Sequence, residues 1–583
     1  MADSYIKYSD QTVNSAFQDF YVVPDYQREY VWEGAQVEQL LFDLLEAYEA
    51  DPKKAYFLGT MVTYANENNF ELIDGQQRLT TFFIILCAIK AALKRFGDQT
   101  GIIDNLIFSS AYNADGDIDH RYHVQLQYED AKGYLEQIEK NEPGAGELSQ
   151  SGRRLFEAFH LAQKWIDDHF PQKEELRKFV AFFLVKTSFI RIETHDITDA
   201  LKIFETINQR GKGLDPMDLM KNMIFRQVER EQFKELNLTW KQIIRKLEQI
   251  DEKPLRFLRY FIMANYSTEM ERDQILREDQ IYTWFKNNND QCHYEDRPFQ
   301  FVQKLEHGAE LYARYRFPAD HADGNEHLEN IPLLAGRSYR LHLMLLLAAS
   351  NMEQSALARF KGLVESIVYY AVINHVATNV TERRFSLWCR EIRAIQTNDQ
   401  LTTFIDRGVM PVIQEWKQDN ELNFMRLGLN SMQQYRVKFI LGKITAYVEA
   451  MCMGQQEPQS IALYTGPGVE IEHIMPQTCE DKQVYGVSEE EFPVYLNRLG
   501  NLTLLENSIN RSIQNSTYKE KCEAYRKSRF YLTKSLPALV DQGKDTAINR
   551  TNGMLTAWTE WNKQSIEERQ RMLYQLSEKI WSI

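Results

Sequence analysis

The chain lacks paired cysteines and long apolar runs. Its 583 residues include six cysteines but no C-x-x-C pair, which argues against a disulfide framework and a structural zinc site and is typical of a reducing cytosol. The longest apolar stretches, Leu79–Ile89 and Leu343–Ala349, are shorter than the roughly 20 residues that a membrane-spanning helix needs. The first residues show no basic start followed by an apolar segment, so we expect no secretory signal. These absences predict a cytoplasmic protein without a membrane partner.

The chain also lacks positive charge overall, because its formal net charge is −15. This excludes a uniformly basic surface but not a local one, since contacts with phosphate act within about a Debye length. Residues 497–535 contain eight basic and three acidic residues, a local net charge of +5. That segment is either an anion-binding surface or a solvated helix face.

Three regions of the chain differ in their hydrophobic pattern. Residues 1–230 alternate strand patterns with helices, and residues 231–425 are almost wholly helical, with apolar positions at spacings of three and four. Residues 426–583 begin with a long helix and continue with a Gly-Pro turn, two short strands and more helices. We therefore predict an α+β fold that is predominantly α-helical, with domain boundaries near residues 230 and 425.

The first chemical motif is D-G-Q-Q-R, at Asp74–Arg78. Phe70–Ile73 has the pattern of a strand, and an apolar helix begins at Gln76. A strand, a glycine turn and a helix start leave unpaired N–H groups where an anion can bind, and Arg78 could bind phosphate with two hydrogen bonds. Asp74 would repel phosphate, so we expect it to cap the helix, hold a metal or activate water. An ordinary strand–turn–helix junction remains the alternative.

Two further segments bracket this motif. Pro24–Trp32 is rich in aromatic residues and contains Arg28. Its aromatic side chains could stack on a base, line an apolar cavity or belong to the core. Ile203–Leu214 is a helix that ends in a polar, glycine-rich loop with Asn208 and Arg210.

Together these segments resemble the N-terminal domain of the GmrSD-like restriction family, a branch of the ParB/sulfiredoxin-like fold. The family pattern is P-x-Y-Q-R-x-Y-x-W, an F-L-G strand, D-G-Q-Q-R and F-x-x-I-N-x-R-G, and all four occur here in that order within residues 15–230. The resemblance implies that a nucleoside triphosphate (NTP) is bound and hydrolysed, and that this half senses a DNA modification. The implied nucleotide-binding residues are Asp74, Gly75, Gln76, Gln77, Arg78, Arg28, Asn208 and Arg210.

The second chemical motif is centred on His473, the last histidine of the chain. A strand that ends in Glu472-His473, a second strand at Leu502–Leu505 and a helix carrying Asn510 follow the β-β-α order of HNH nucleases. Phosphodiester cleavage needs a base to activate water, and a histidine of near-neutral pKa suits that role. This order predicts His473 as the general base.

The neighbouring polar residues suit a divalent metal, most simply Mg²⁺. The carboxylate of Glu472 and the amide oxygen of Asn510 are hard ligands, and Asn501 could orient His473 through its other ring nitrogen. Strict strand alternation would point Glu472 and His473 to opposite faces. Their convergence on one metal therefore requires the strand to bend or end near Pro476.

This combination resembles the nuclease half of the same family over residues 430–535, and Lys521, Tyr525 and Ser528 continue the pattern. It departs from many HNH sequences, which have Asp at the position of Glu472 and a second His at that of Asn510. The basic segment then becomes a candidate DNA interface. The residues expected to contact DNA are Arg498, Arg511, Lys519, Lys521, Arg526 and Lys527.

The resemblance of both halves predicts an NTP-regulated, metal-dependent endonuclease that cleaves modified double-stranded DNA in antiviral defence. In the family, the modifications include hydroxymethylated or glucosylated cytosine and, in the SspE-like branch, phosphorothioate. Two alternatives stay open: a ParB-like DNA-binding NTP switch that does not cleave, and an abortive-infection nuclease that acts on host nucleic acid. The helical region 231–425 could couple the two halves, act as a spacer or form a homodimer interface, and accessory defence proteins are further candidate partners.

Overall fold

The computed structural model describes residues 6–66, 69–112, 118–128, 133–142, 148–195, 197–208, 216–267, 275–318, 323–479, 481–541, 543 and 545–583. The chain divides into two compact units. The first comprises Met1–Ile244 and Tyr282–Glu306, and the second comprises Arg245–Ile281 and His307–Ile583. This partition differs from the three regions predicted from the sequence, whose boundaries stay a prediction.

The first unit is built on a mixed six-stranded sheet. Its strands are β1 (Lys7–Thr12), β2 (Tyr21–Val23), β3 (Tyr56–Asn66), β4 (Asn69–Asp74), β7 (Val124–Leu126) and β8 (Thr187–Thr194), and a separate hairpin contains β5 (Phe108–Tyr112) and β6 (Ile118–Tyr122). The strand order is β1-β8-β3-β4-β2-β7. The pairs β1/β8 and β3/β4 are antiparallel, whereas β8/β3, β4/β2 and β2/β7 are parallel. The antiparallel connection from β3 to β4 brings the end of β4 to the middle of the sheet.

Helices pack on this sheet and complete its core. The helices up to residue 225 are α1 (Val13–Ala16), α2 (Gly34–Ala50), α3 (Gln76–Arg95), α4 (Gly101–Ile107), α5 (Tyr134–Lys140), α6 (Gln150–His169), α7 (Lys173–Lys186), α8 (Ile197–Asn208) and α9 (Pro216–Phe225). Helix α3 is the central one and is apolar on nearly all sides, as expected for a helix inside a core. It is the one helix of the described chain long and apolar enough to cross a membrane, but 89% of the relevant window is buried within the protein.

Where the structure describes residues 231–425, they form helices joined by turns and loops and contain no strand, in line with the predominantly helical pattern of the sequence. These helices and the long helix that follows are α10 (Phe233–Gln249), α11 (Pro254–Asn265), α12 (Ile281–Asn287), α13 (Asn289–Cys292), α14 (Pro298–Arg316), α15 (Asn325–Ala335), α16 (Leu341–Ala348), α17 (Gln354–Ile373), α18 (Thr378–Ile392), α19 (Asn398–Phe404), α20 (Met410–Trp416), α21 (Asn420–Met425) and α22 (Gln434–Met453). Helix α22 ends at Gly454, whose φ of 66° is left-handed. Glycine adopts that conformation at low cost.

A two-stranded hairpin with helices around it forms the C-terminal part of the second unit. Its elements are α23 (Ala462–Thr465), β9 (Val469–His473), α24 (Phe492–Leu496), β10 (Leu502–Glu506), α25 (Asn507–Ile513), α26 (Tyr518–Tyr525), α27 (Tyr531–Lys534), α28 (Ala547–Asn552) and α29 (Lys563–Ile580). Strands β9 and β10 are antiparallel, with Leu502 opposite His473 and Thr503 opposite Glu472. The predicted β-β-α order is therefore present, with α24 lying between the two strands in the chain. The molecule has the predicted α+β fold, dominated by helices.

Candidate functional site

The first candidate site lies in the first unit, where β4 ends and α3 begins. Gly75 is the residue before the helix and has a φ of 91°. A Cβ at this position would lie 2.7 Å from the Cβ of Met61, so both the backbone conformation and the packing require glycine here. Asp74 does not cap α3, contrary to one of our expectations. Its Oδ1 instead accepts a hydrogen bond of 2.8 Å from the N–H of Gly75, and no side chain of the described residues caps this helix.

A cleft of about 120 Å³ opens at this junction. Its apolar rim includes Trp32 and Phe204, and its polar wall is formed by the predicted residues. The cleft residues named by the sequence are Arg28, Asp74, Gly75, Gln76, Gln77 and Arg78. The structure thus brings together motifs that lie about 45 residues apart in the chain. Asn208 is the last residue of α8, and Arg210 lies outside the described residues, as does the side chain of Asn208.

Two glutamine side chains of the cleft carry polar atoms without a hydrogen-bond partner in the described chain. These atoms are Nε2 of Gln27 and Oε1 of Gln76. Each side chain is 7% exposed, so bulk water reaches neither group well. A buried amide atom left unpaired costs about 1–3 kcal/mol. One donor and one acceptor in the wall of a cleft therefore favour a bound ligand that supplies both partners.

Arg78 is held by the strand next to the cleft. Its guanidinium donates hydrogen bonds to the carbonyls of Leu58 and Thr60. A Cβ at Gly59 would lie 3.0 Å from Nη1 of Arg78, so the glycine in the F-L-G strand makes room for this side chain. Burial raises the pKa of Asp74, while the charges of Arg78 and Arg28 lower it. The result is a fixed positive charge beside an uncapped helix start, an arrangement that suits an anion.

The aromatic stretch before the cleft is mostly core. Tyr26 and Tyr30 are 7% and 2% exposed, and the hydroxyl of Tyr30 lies 2.8 Å from Oγ1 of Thr81. Gln77 anchors this stretch, because its Oε1 accepts from the N–H of Val31 at 2.8 Å and its amide donates to a neighbouring carbonyl. Of the aromatic residues in this stretch, Trp32 is the one that lines the cleft.

The second candidate site lies in the second unit, at the end of β9. The ring of His473 contacts two amide side chains. Nε2 lies 3.4 Å from Oδ1 of Asn497, and Nδ1 lies 2.9 Å from Nε2 of Gln477. The side-chain Nδ2 of Asn497 donates to the carbonyl of Pro493 at 3.0 Å, which turns Oδ1 toward the histidine. Nε2 is therefore the protonated nitrogen, and Nδ1 can accept a proton where the exposed Gln477 now donates.

The environment of His473 favours the neutral ring. Burial lowers its pKa, and the Lys521 charge lowers it further, whereas the Asn497 contact acts in the opposite direction. A neutral imidazole with one nitrogen oriented and the other able to accept a proton has the state that a general base requires.

The predicted contact between Asn501 and His473 is wrong. Oδ1 of Asn501 accepts hydrogen bonds from the backbone N–H of Met475 at 2.8 Å and from Nε1 of Trp561 at 2.9 Å. Its amide donates to the carbonyl of Leu496 at 2.8 Å. Asn501 is 0% exposed, so it fixes the loop that follows His473 instead of the ring. Asn497, four residues earlier, makes the ring contact, and the sequence contained no signal to separate the two asparagines.

Glu472 is buried and bound by a lysine and a tyrosine of α26. Its Oε1 accepts from Nζ of Lys521 at 2.6 Å and from the hydroxyl of Tyr525 at 3.1 Å. Ser528, one turn further, donates to Glu506 of β10 at 2.8 Å. The K-x₃-Y-x₂-S spacing places these residues on the side of α26 and its C-terminal extension that faces the hairpin. The predicted role of Glu472 as a metal ligand stays a prediction, and this carboxylate would have to be shared with Lys521.

A second carboxylate lies closer to the asparagine of α25. The Nδ2 atom of Asn510 donates to Oε2 of Glu470 at 2.7 Å. Sequence analysis missed Glu470, although strand alternation places it on the same face of β9 as Glu472. Nowhere in the described chain do three His, Cys, Asp or Glu side chains group closely enough to hold a metal ion. Mg²⁺ usually needs one or two carboxylates and completes its shell with water and substrate phosphate, so the oxygen atoms of Glu470 and Asn510 are a chemically suitable donor pair.

Most of the predicted DNA-contacting residues are exposed, but Lys521 is not. Its side chain is 1% exposed, because its charge is used inside the protein. Arg498 is partly buried, and its guanidinium lies 4.2 Å from the ring centre of Tyr495. The exposed basic residues of the predicted interface are Arg511, Lys519, Arg526 and Lys527.

Helix α29 supports this site from behind. Arg569 is 0% exposed, and its Nη1 donates to the carbonyls of Gly500 and Leu502 at 2.8 and 2.7 Å. Gln570 accepts from the N–H of Gly500 at 3.0 Å. A Cβ at Gly500 would clash with the backbone carbonyl of Ile566. The turn that carries Asn501 is therefore packed directly against α29, which the sequence did not indicate.

Two protein-family models match the segments that contain the two candidate sites. The model of the GmrSD restriction endonuclease N-terminal domain matches residues 9–225, which contain the cleft. The model of the GmrSD restriction endonuclease C-terminal domain matches residues 416–576, which contain His473 and the hairpin. The two matches follow in order and together cover more than half of the chain. The protein belongs to the GmrSD restriction endonuclease family.

In this chain, residues 226–415 separate the two matched domains. An uncharacterised protein of Methanocaldococcus jannaschii is similar to part of the chain, with 24% identity over 236 residues. The aligned segment covers 36% of this chain and 40% of that protein. The chain thus spans about two fifths of the length of this relative.

Proposed function

We propose that this GmrSD family member is a cytoplasmic, metal-dependent endonuclease that cleaves modified DNA and is regulated by an NTP. The observation that carries the proposal is the presence, in one chain, of a cleft with unsatisfied buried amides and a hairpin that ends in an oriented, neutral histidine. The family matches over both segments support the same assignment.

In the nuclease half, His473 acts as the general base. Asn497 orients the ring through Nε2, so Nδ1 takes the proton from a water molecule that attacks the phosphate. The exposed Gln477 amide leaves Nδ1 when that water binds, because both need the same lone pair. The exposed basic residues Arg511, Arg526 and Lys527 bind the DNA backbone around the scissile bond.

The oxygen donors of β9 and α25 fit a divalent metal of the Mg²⁺ type. Glu470 and Asn510 would hold it through oxygen atoms, and Glu472 would join them if its carboxylate is shared with Lys521. A metal bound there supplies charge neutralisation for the phosphate and for the leaving oxygen. We therefore expect chelation of divalent ions to stop cleavage.

The cleft of the first unit fits the polar groups of a nucleotide. The start of α3 and the guanidinium groups of Arg28 and Arg78 are suited to phosphate. The amide atoms of Gln27 and Gln76 offer one donor and one acceptor to a base or ribose. Trp32 and Phe204 provide apolar surface for a flat ring. We also propose that this half senses modified DNA, and that proposal rests on membership of the family.

The deciding experiment compares matched modified and unmodified phage DNA as substrates. The wild-type protein is incubated with Mg²⁺, with and without each NTP, beside His473→Ala as a control for contaminating nucleases. We expect one modified DNA to be cut, in a reaction that needs His473 and stops with a chelator. Cleavage of modified and unmodified DNA alike would instead favour a host-directed nuclease, and NTP turnover without any cleavage would favour a DNA-binding switch.

A further inference from the structure

The end of β9 is joined to α26 by a buried ammonium group that contacts both Glu472 and the backbone of His473. Nζ of Lys521 lies 2.6 Å from Oε1 of Glu472 and 2.6 Å from the carbonyl oxygen of His473. Its side chain is 1% exposed. One ammonium group thus joins a side chain and a main-chain carbonyl of two consecutive residues.

The other side of the same strand end is held by Asn501. The backbone N–H of Ile474 donates to the carbonyl of Asn501 at 2.9 Å, and the N–H of Met475 donates to its side-chain oxygen at 2.8 Å. The His473–Ile474 peptide group is therefore held at its carbonyl by Lys521 and at its N–H by Asn501, and Asn501 also holds the next N–H. This fixed backbone also restricts the position of the His473 ring, because a side chain is held only as firmly as the backbone that carries it.

The ion pair of Lys521 and Glu472 is buried, and the same carboxylate oxygen also accepts from the hydroxyl of Tyr525. Replacing a buried ion pair by neutral groups is often tolerated, whereas removing one partner is strongly destabilising. Stability alone therefore does not account for a lysine at this position, and its second contact, with His473, suggests another role.

We propose that Lys521 is a positioning residue for His473, which holds the end of β9 so that the imidazole ring keeps its orientation toward the substrate. This inference rests on the proposed nuclease function. It removes Lys521 from the set of DNA-contacting residues. The lysine of the K-x₃-Y-x₂-S pattern then contributes to the reaction by positioning His473, without contacting DNA.

The test uses the full-length protein and three variants of the pair. Glu472→Gln keeps an oxygen acceptor for Lys521, Lys521→Met removes the ammonium group, and the double variant removes both charges so that no carboxylate is left buried alone. We expect the double variant to fold, with kcat for DNA cleavage lower than that of Glu472→Gln by about 10- to 100-fold and KM within about twofold. Equal kcat values for the double variant and Glu472→Gln would overturn the proposal, since the loss would then belong to Glu472.

A matched control separates positioning from general destabilisation. Lys443 forms another buried ion pair in the same unit, with Nζ 3.2 Å from Oε1 of Glu365, and this pair joins α22 to α17 rather than to the hairpin. Lys443→Met is expected to lower the melting temperature while the folded fraction keeps its kcat. If Lys443→Met reduces kcat as much as Lys521→Met does, the effect of Lys521 is merely structural.

Amide hydrogen exchange tests the anchoring without any need for cleavage. We expect the N–H groups of Ile474 and Met475 to exchange at least about 10-fold faster in the double variant than in Glu472→Gln, with the core amides of α22 unchanged. Unchanged exchange at these two amides refutes the anchoring. A wild-type protein that cuts no DNA would refute the proposed function, whereas the exchange result would still decide whether Lys521 holds the strand.

Discussion

The two candidate sites use the same local plan, a strand followed by a turn or loop and a helix, but they satisfy their polar groups differently. In the cleft of the first unit, Gln27 and Gln76 keep a buried donor and acceptor without a partner in the described chain. Around His473, the carboxylates of Glu470 and Glu472 are bound by side chains of the following helices. The first arrangement is suited to a ligand that completes it, whereas the side chains of the second are already held in place by contacts within the protein.

The two sites are also kept rigid by different means. The cleft depends on tight backbone turns, with positive φ at Gly59 and Gly75. The histidine site depends on a buried network of Lys521, Tyr525 and Arg569 behind a two-stranded hairpin. A small sheet such as this hairpin has little stability by itself, so helices from elsewhere in the unit must support it. The two sites should therefore fail in different ways when they are mutated.

The largest effect is expected from His473→Ala. Loss of a general base should lower the rate of DNA cleavage by about 10²- to 10⁴-fold, while NTP hydrolysis stays within a few-fold of the wild-type value because the cleft is formed by other residues. Parallel assays of cleavage and nucleotide turnover on one preparation test this. Loss of both activities would show that the two sites do not work separately.

Gly75→Ala tests whether the cleft needs the tight backbone at the start of α3 for NTP turnover. The added Cβ lies 2.7 Å from Cβ of Met61 at a φ of 91°, so the start of α3 must shift. We expect NTP turnover to fall by about 10- to 100-fold, as for misplaced binding groups. The matched control is Gly97→Ala, because Gly97 also has a positive φ but no atom within 4 Å of the new Cβ. That control should cost only about 1 kcal/mol of stability and leave turnover unchanged; equal losses in both variants would mean that backbone strain alone matters.

Gly500→Ala tests the support of the histidine site by α29. The new methyl group would clash with the carbonyl of Ile566, and overpacking of this kind costs about 1–3 kcal/mol of unfolding free energy. Chemical denaturation should show that loss, and the cleavage rate should drop about tenfold because Asn501 moves with the turn. Gly468→Ala, which meets no atom within 4 Å, is the control. Wild-type cleavage by Gly500→Ala would show that the turn does not position His473.

The smallest effect is expected at the exposed basic surface. Arg526→Ala combined with Lys527→Ala should weaken DNA binding several-fold and reduce the slope of log K against log salt by about 0.9 for each phosphate that the protein no longer neutralises. Fluorescence anisotropy at several salt concentrations measures both. Arg550→Ala removes an exposed arginine that pairs with Asp545 and should leave the slope unchanged. An unaltered slope in the double variant would remove the surface directly after α26 from the DNA interface.

Sequence alone determined the local features of both sites. The Asp-Gly turn before an apolar run predicted the β4–α3 junction, and the Glu-His strand end followed by a second strand and a helix predicted the hairpin. These predictions succeeded because glycine, strand alternation and helical periodicity act over a few residues.

Only the tertiary structure decided which partner each polar side chain has. The pairing of Lys521 with Glu472, of Asn510 with Glu470 and of Asn497 with His473 joins residues that are 24 to 49 positions apart. No local pattern ranks such partners, because the choice depends on which face of the hairpin meets α25 and α26. Burial then assigns the roles: a lysine that is exposed can bind phosphate, whereas a lysine taken out of water must keep its charge paired inside the protein.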